Sequence, residues 1–380
     1  MKILLVGEYY STNLGDPLLC RTVQRAIEDA YPDVQVIPFD LSGKTGYGEY
    51  YDAKTYSAAL RRYFRMKNRC PGIWRRIRQY RLIAKEEARY VRVAALLDDM
   101  LEKHTFDMVI FAGGAMFIDH FAGVIHLVLR RVAHTNAKIM FHACGMGHLS
   151  ADSKRLLQQV LKNKKIKSIT LRDSYSRFCD AFRTNAQLAE TFDTALACSR
   201  FFEAASEKQA EYGVGIIARP DCYEFQKDLV SQFLKSDKKW RLFTNGSRED
   251  QAAAEQILTQ LGIVGDSQLQ WLVPRPVTAD ELVRTITAFE KIISFRMHSL
   301  ITAASYGVQC YGFAWDRKVE EMFDKLGIAQ NCAKPEGQPS FNEICNILET
   351  ENGLKEKAQL CGDKSIHALL DNLGKYINDK

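Results

Sequence analysis

The chain has 380 residues, 46% hydrophobic and 26% charged, with a formal net charge of +6. That length exceeds one ordinary core and suits two globular domains of ~100–200 residues each. No apolar run approaches the ~20 residues that cross a bilayer, the opening Ile3–Val6 run is too short for a signal-peptide core, and the ten cysteines show no metal-ligand spacing, so reduced thiols, no metal site and a cytoplasmic setting are expected.

Strand-like apolar runs alternate with amphipathic stretches of helix length, the pattern of parallel sheets covered by helices. The spacing predicts strands at Lys2–Val6, Val34–Pro38, Met108–Phe111, Lys138–Ala143 and Ile166–Leu171. Helices are predicted between them at Pro17–Ala30, Ala84–Lys103, Val124–Ala133 and Ala151–Lys162. Pro17 stands where a first-turn proline belongs, and Pro32 where a helix stops. After a polar connector near 204–211 the alternation restarts: strand Tyr212–Ala218, helix Glu224–Lys235, strand Arg241–Thr244, helices Arg248–Leu261 and Ala279–Ala288. Strand Lys291–Phe295, helix Ser299–Tyr306, strand Gln309–Phe313 and a last helix near Leu354–Tyr376 follow. The expected fold is α/β, with two Rossmann-like, doubly wound parallel-sheet domains facing a cleft. The first spans 1–205 and the second 206–345, and a helix in 346–380 returns to brace the first.

Basic residues crowd the segment from Arg61 to Arg92, interleaved with Tyr63, Phe64, Trp74 and Tyr80. Such a segment suits an anionic membrane face, a phosphate-bearing acceptor, or simply a solvated basic helix pair. No nucleic-acid fold signature accompanies it, so nucleic acid is not an expected partner.

Ligands of doubly wound sheets sit outside the carboxyl ends of the strands. That rule nominates four loops of the first domain: Gly7–Asp16, Gly113–Ala115, Gly145–His148 and Arg172–Ser174. None carries the spaced-glycine fingerprint of a dinucleotide site or the lysine of a phosphate loop. In the second domain the run Ile292–Phe295 passes into Arg296-Met297-His298 and then an apolar helix. Helix starts attract anions; Arg296 adds a permanent fork of donors and His298 a proton that moves near neutral pH.

In order and spacing, Asn13-x-Gly15-Asp16, Gly113-Gly114, Gly145-x-Gly147, Arg172-Asp173-x-x-Ser176, Phe192-Asp193 and Ser294-Phe295-Arg296-Met297-His298-Ser299 stand along the chain. Ala303-x-x-x-Gly307 and Asp316-x-Lys318-Val319 follow them. Together they resemble the polysaccharide pyruvyl transferase family from Lys2 to about Gly327. Ala115 and His148 depart from the family pattern, on the rim assigned to the acceptor. The resemblance implies a fold like that of GT-B glycosyltransferases. It also implies transfer of the pyruvyl group of phosphoenolpyruvate, as donor substrate and without a cofactor, onto two hydroxyls of a sugar. The acceptor would be nucleotide-, lipid- or polysaccharide-linked, and the enzyme cytoplasmic with peripheral contact at the inner membrane face. His298, Arg296 and Asp16 are then the expected catalytic residues. Arg172, Lys318, Asn13, Gly15, Gly113, Gly114 and His148 are expected to bind substrate, with His142 a further candidate. Simpler readings stand beside several of these. Lys318 could open the next helix as a surface lysine, Asn13 and Asp16 could cap the first helix, and His142 could be packed at the end of its strand. Two other functions also remain open: a glycosyltransferase using a nucleotide sugar, with Glu320 or Glu321 on the ribose, and a non-catalytic scaffold of polysaccharide assembly.

Overall fold

The computed structural model describes residues 1–47, 71–209, 212–220, 222–337 and 339–377, with side chains from residue 87 onward in the helix that begins at Pro71. In chain order the first lobe contains β1 (Lys2–Gly7), α1 (Gly15–Ala30), β2 (Gln35–Asp40), α2 (Pro71–Lys103), β3 (Met108–Phe111) and β4 (Gly114–Phe117). It continues with α3 (Asp119–Val132), β5 (Lys138–Met146), α4 (Ala151–Leu161), β6 (Ile166–Leu171), α5 (Tyr175–Ala181) and β7 (Gln187–Glu190). A 3₁₀ helix, Thr194–Arg200, leads to the second lobe: β8 (Val214–Ile217), α6 (Tyr223–Leu234), β9 (Trp240–Phe243), α7 (Arg248–Gln260) and α8 (Ala279–Thr287). Then come β10 (Lys291–Ser294), α9 (Met297–Tyr306), β11 (Gln309–Phe313), α10 (Arg317–Lys325), β12 (Cys332–Ala333), α11 (Phe341–Glu349) and α12 (Leu354–Ile377).

The strands form two parallel sheets, ordered β2-β1-β3-β5-β6-β7, with β4 beside β5, and β12-β11-β10-β8-β9. Each central strand is apolar on both faces, as a sheet sandwiched between helices requires. Along β1, Leu4 and Val6 enter one core with Val124 and Leu157, while Ile3 and Leu5 enter another with Val23 and Leu369. Ile292 and Ile293 divide in the same way between the two faces of the second sheet. α12 thus lies over the first sheet, burying Ile366, Leu369 and Leu373. The short strands β4 and β7 escape a reading based on apolar runs. β4 opens on Gly114, the second of two glycines at positive φ, and β7 is a half-exposed edge strand whose sequence alternates too briefly to register.

The two lobes are joined by packing as well as by chain. Leu14, just before α1, is buried in the second lobe's core with Phe243, Leu300 and Ile301. Gly246 receives it at φ +89°, where a Cβ would lie 2.4 Å from Leu14 Cγ. Full burial of one such leucine contributes ~1.5–3 kcal/mol, so this contact holds the interlobe angle on the α1 side. Of the basic aromatic segment 61–92, residues 61–70 lie outside the described residues. Among those described, no helix is long and apolar enough to cross a membrane.

Candidate active site between the two sheets

β10 delivers its chain into the gap between lobes. Ser294 and Phe295 are buried, Arg296 is extended at the N-cap, and α9 begins at Met297. Ser294 Oγ accepts the Arg296 N–H at 2.9 Å, and Ser299 Oγ donates to Asn245 Oδ1 at 2.7 Å, which fixes the first turn. Every residue of α9 from Met297 to Ser305 is buried, as befits a helix with partners on all sides.

His298, on that first turn, crosses to the other lobe. Its Nδ1 lies 3.9 Å from Asp16 Oδ1 and its Nε2 3.6 Å from Asp193 Oδ2, with Arg172 Nη1 3.4 Å from Nε2. The approach is so close that a Cβ on Gly15 would sit 2.2 Å from the His298 Cβ. Gly15 therefore makes room for the imidazole. Asn13 and Asp16 do not cap α1, whose N-cap residue is Leu14, without a side-chain cap. Instead Asn13 Nδ2 donates to Asp16 Oδ2 at 2.7 Å, and Asn13 Oδ1 accepts from Asn245 of the second lobe.

Arg172, at the end of β6, is nearly fully buried and held by two carboxylates. Nε donates to Asp173 at 3.2 Å, and Nη1 donates to Asp193. Burial alone would raise the Asp193 carboxyl; Arg172, then His298, then the Ala195 N–H at 2.9 Å outweigh it and hold the group well below the usual carboxylate range. Asp193 is thus an anion shared by a guanidinium and an imidazole.

For Arg296 the structure corrects the expectation of an open fork. Its Nε donates to Asp250 Oδ2 at 2.8 Å and its Nη2 to Oδ1, and Asp250 is fully buried. Burial presses Asp250 towards its neutral form and Arg296 opposes that. With two of its five N–H donors spent on Asp250, the guanidinium is a cation fixed in place that keeps three donors.

A cleft beside these groups is lined by Arg172, Asp173, Phe192, Asp193, Leu196, Met297, Ile301, Lys318, Glu321, Met322, Lys325 and Leu326. Lys318 therefore faces the gap. Burial makes its ammonium easier to deprotonate, against the pull of Asp316, 3.5 Å away. Lys318 Nζ and Arg219 Cζ stand 4.5 Å and 4.3 Å from the ring centre of Trp315, a half-exposed indole on the second rim. Lys325 donates to the Arg172 carbonyl across the gap. Glu321 lines the cleft while pairing with Arg317, whereas Glu320 turns to Lys334.

The remaining expected residues lie apart from this cluster. Gly113 and Gly114 have φ of +93° and +83°, and a Cβ on Gly113 would come 3.0 Å from the carbonyl oxygens of His142 and Ala143. Gly113 thereby permits close packing on β5, whereas a Cβ on Gly114 would meet only Leu19 Cδ2, at 3.8 Å. His148 is exposed and its Nδ1 sits 3.1 Å from Asp119, at the start of α3. His142 is buried, and burial pushes its pKa down to about 3.

Reading from sequence passed over Asp193, Asp173 and Asp250 as site residues. The first two adjoin motifs already singled out, Phe192-Asp193 and Arg172-Asp173. Asp250 carries no local signal, because its role exists only opposite Arg296. Also missed are Glu8 and Asp40, which join Asp16 on the first rim. Burial raises Glu8 well above the usual range, and the Asp16 and Asp40 charges push the same way. Among the described residues no group of three or more His, Cys, Asp and Glu is placed to hold a metal.

A family model described as polysaccharide pyruvyl transferase matches residues 13–317. No curated protein matches the sequence. Among solved structures, the UDP-GlcNAc 2-epimerase from Methanocaldococcus jannaschii is similar at TM-score 0.57 and 9% identity, over 97% of this chain and 99% of that one. MnaA of S. aureus, in a co-structure with UDP, gives 0.60 and 8%, over 99% and 97%. The spinosyn rhamnosyltransferase SpnG, complexed with thymidine diphosphate, gives 0.51 and 10%, over 98% and 100%. At such identities the likeness is one of fold, the facing parallel-sheet lobes of GT-B-type glycosyltransferases and epimerases. The matched span includes Asn13, Asp16, Arg172, Asp193, Arg296 and His298, and the chain is a transferase that belongs to the polysaccharide pyruvyl transferase family.

Proposed function

We propose that the protein moves the pyruvyl group of phosphoenolpyruvate onto two hydroxyls of a sugar in a cell-surface polysaccharide or its nucleotide- or lipid-linked precursor, giving a pyruvate ketal and phosphate. The observation that carries this reading is the imidazole of His298, brought from one lobe between Asp16 and Asp193 of the other, beside Arg172.

In this reading the donor lies in the cleft with its anionic groups towards Lys318, Lys325 and Arg172, while Arg296, oriented by Asp250, offers its three remaining N–H donors. His298 as the imidazolium protonates C3 of the enol, and C2 becomes oxocarbenium-like. The first acceptor hydroxyl adds to C2 and gives its proton to the neutral imidazole. The C2–O bond to phosphate then breaks, and the second hydroxyl closes the ketal. Two protons leave the hydroxyls and one enters C3, so the surplus proton departs with phosphate. Oxidation state balances throughout, and the chemistry calls for no cofactor. Asp16, anchored by Asn13, orients the acceptor. General acid–base catalysis of this kind contributes ~10²–10⁴-fold. A cytoplasmic enzyme in peripheral contact with the inner membrane face would meet a lipid-linked acceptor there.

The test is phosphate release from phosphoenolpyruvate with a panel of sugar acceptors. His298→Ala should lose ~10²–10⁴-fold while its thermal unfolding stays cooperative, and retained turnover removes the role given to His298. Phosphoenolpyruvate should also raise the melting temperature, because it binds only the folded state. A rise with nucleotide sugars alone would favour a nucleotide-sugar donor instead, with Glu321 the second lobe's acidic residue on the cleft wall.

A further inference from the structure

Behind Asp193 runs a buried chain of hydrogen bonds that the transfer reaction does not use directly. Ser365 Oγ, on α12, donates to the Phe192 carbonyl at 2.9 Å and lies 3.0 Å from Thr194 Oγ1. Thr194 Oγ1 lies 2.9 Å from His142 Nε2, and His142 Nδ1 lies 3.2 Å from Thr170 Oγ1. Thr170 Oγ1 in turn accepts the Ala143 N–H at 2.8 Å. Thr194, His142 and Ser365 are all fully buried.

Counting protons sets the direction of this chain. A carbonyl only accepts, so the single Ser365 proton goes to Phe192. Thr194 must then donate to Ser365, and with its own proton spent it must accept from His142 Nε2. Burial keeps His142 neutral, so its one N–H is on Nε2 and Nδ1 accepts from Thr170. The Nε2–H then points to Thr194 Oγ1, with Ser365 Oγ a longer second acceptor at 3.4 Å, and the tautomer follows from the network. The two residues held, Phe192 and Thr194, flank Asp193. α12 presses on the same segment: a Cβ on Gly362 would lie 2.7 Å from the Ala197 nitrogen.

We propose that Ser365, Thr194 and His142 are positioning residues that hold the Asp193 carboxylate against His298, so that α12, remote in sequence, sets the environment of the imidazole. The groups facing that imidazole are Asp16, Asp193 and Arg172, with Asp173 held on Arg172. Loosening residues 192–194 moves Asp193 relative to His298 while leaving Asp16 in place. The catalytic consequence rests on the role of His298 proposed above; the positional one does not.

Thr194→Val keeps the shape of the side chain and removes the hydroxyl, whereas Thr194→Ser keeps the hydroxyl. With [13Cε1]-histidine labelling and no substrate present, His142 should stay neutral between pH 5 and 8. The His298 13Cε1 resonance should move in Thr194→Val and stay at the wild-type position in Thr194→Ser. In phosphate release, Thr194→Val should lower kcat about tenfold with KM for phosphoenolpyruvate within twofold, and shift the pH profile of kcat. Should Thr194→Val fail to fold, Ser365→Ala, on a helix that favours alanine, breaks the same chain. An unmoved His298 resonance in a folded variant overturns the proposal, as does a lowered melting temperature with an unchanged pH profile of kcat. A moved resonance in a protein that releases no phosphate from phosphoenolpyruvate leaves the positioning intact and overturns the donor assignment instead.

Discussion

The two rims that face each other across the gap carry opposite chemistry on the same scaffold. At the carboxyl ends of β1, β2 and β6 the first lobe gathers Glu8, Asp16, Asp40 and Asp173, with Asp193 just beyond β7, and the buried Arg172 is claimed by two of them. At the ends of β8, β9, β10 and β11 the second lobe gathers Arg219, Arg248, Arg296 and Lys318, and spends Asp250 on holding one of them still. An anionic donor fits the basic rim, and hydroxyls that must be oriented and relieved of protons fit the acidic one. His298 belongs by chain to the basic rim and by contact to the acidic one, which suits a group that handles protons for both. The lesson is that the charge of a motif in sequence is a poor guide to its charge in place. Arg172 and Arg296 read alike as cations, yet one is neutralised inside a network and the other is a fixed donor at its edge.

The largest expected effect tests that contrast directly. Asp193→Ala leaves Arg172 with a single carboxylate in the interior and strips the imidazole of its neighbour. Phosphate release should fall ~10²–10⁴-fold and stability by ~3–5 kcal/mol, read by urea unfolding. Asp250→Ala should lose less than half of that stability, because the Arg296 side chain is 21% exposed and rehydrates. Equal losses would mean the rims do not differ as described. The folded Asp193 is more acidic than the unfolded one, so its contribution is fully present above the unfolded carboxylate pKa and is lost as pH falls through the depressed folded value. The stability gap between wild type and Asp193→Ala should accordingly close in strong acid.

Next in size is Gly15→Ala, which drives a methyl group into His298 and moves the two rims apart. Overpacking of this kind costs ~1–3 kcal/mol, and a displacement near 1 Å lowers kcat by up to ~10²-fold. An unchanged kcat would show that the close approach of Gly15 to the imidazole has no part in catalysis. The smallest effect concerns the basic rim. Burial lowers the pKa of Lys318, so raising the pH removes its charge sooner than for an ordinary lysine. KM for phosphoenolpyruvate should rise severalfold in that alkaline range, and Lys318→Arg, whose charge persists, should flatten the rise. The same rise in Lys318→Arg would place the titrating group elsewhere.

Much of the architecture was legible because periodicity is local. Continuous apolar runs marked the central strands, and Pro17, Pro32 and the polar connector marked the breaks. The Arg296-Met297-His298 turn was legible as an anion-friendly helix start for the same reason. The partners of those residues were not. Asp250 stands 46 positions from Arg296 and Arg172 stands 126 from His298. The glycines show the same limit: Gly15 and Gly113 were both expected to touch substrate, and only their neighbours in space reveal that one admits an imidazole and the other packs on β5.

By itself, the sequence determined the order of strands and helices, the parallel sheets that this order demands, and the short motifs that mark the family, since each depends on residues a few positions apart. Only the tertiary structure decided which charges cancel and which remain. Burial and pairing across the lobes set the ionisation of Asp193, the orientation of Arg296 and the surroundings of His298, and none of these exists until distant strand ends meet.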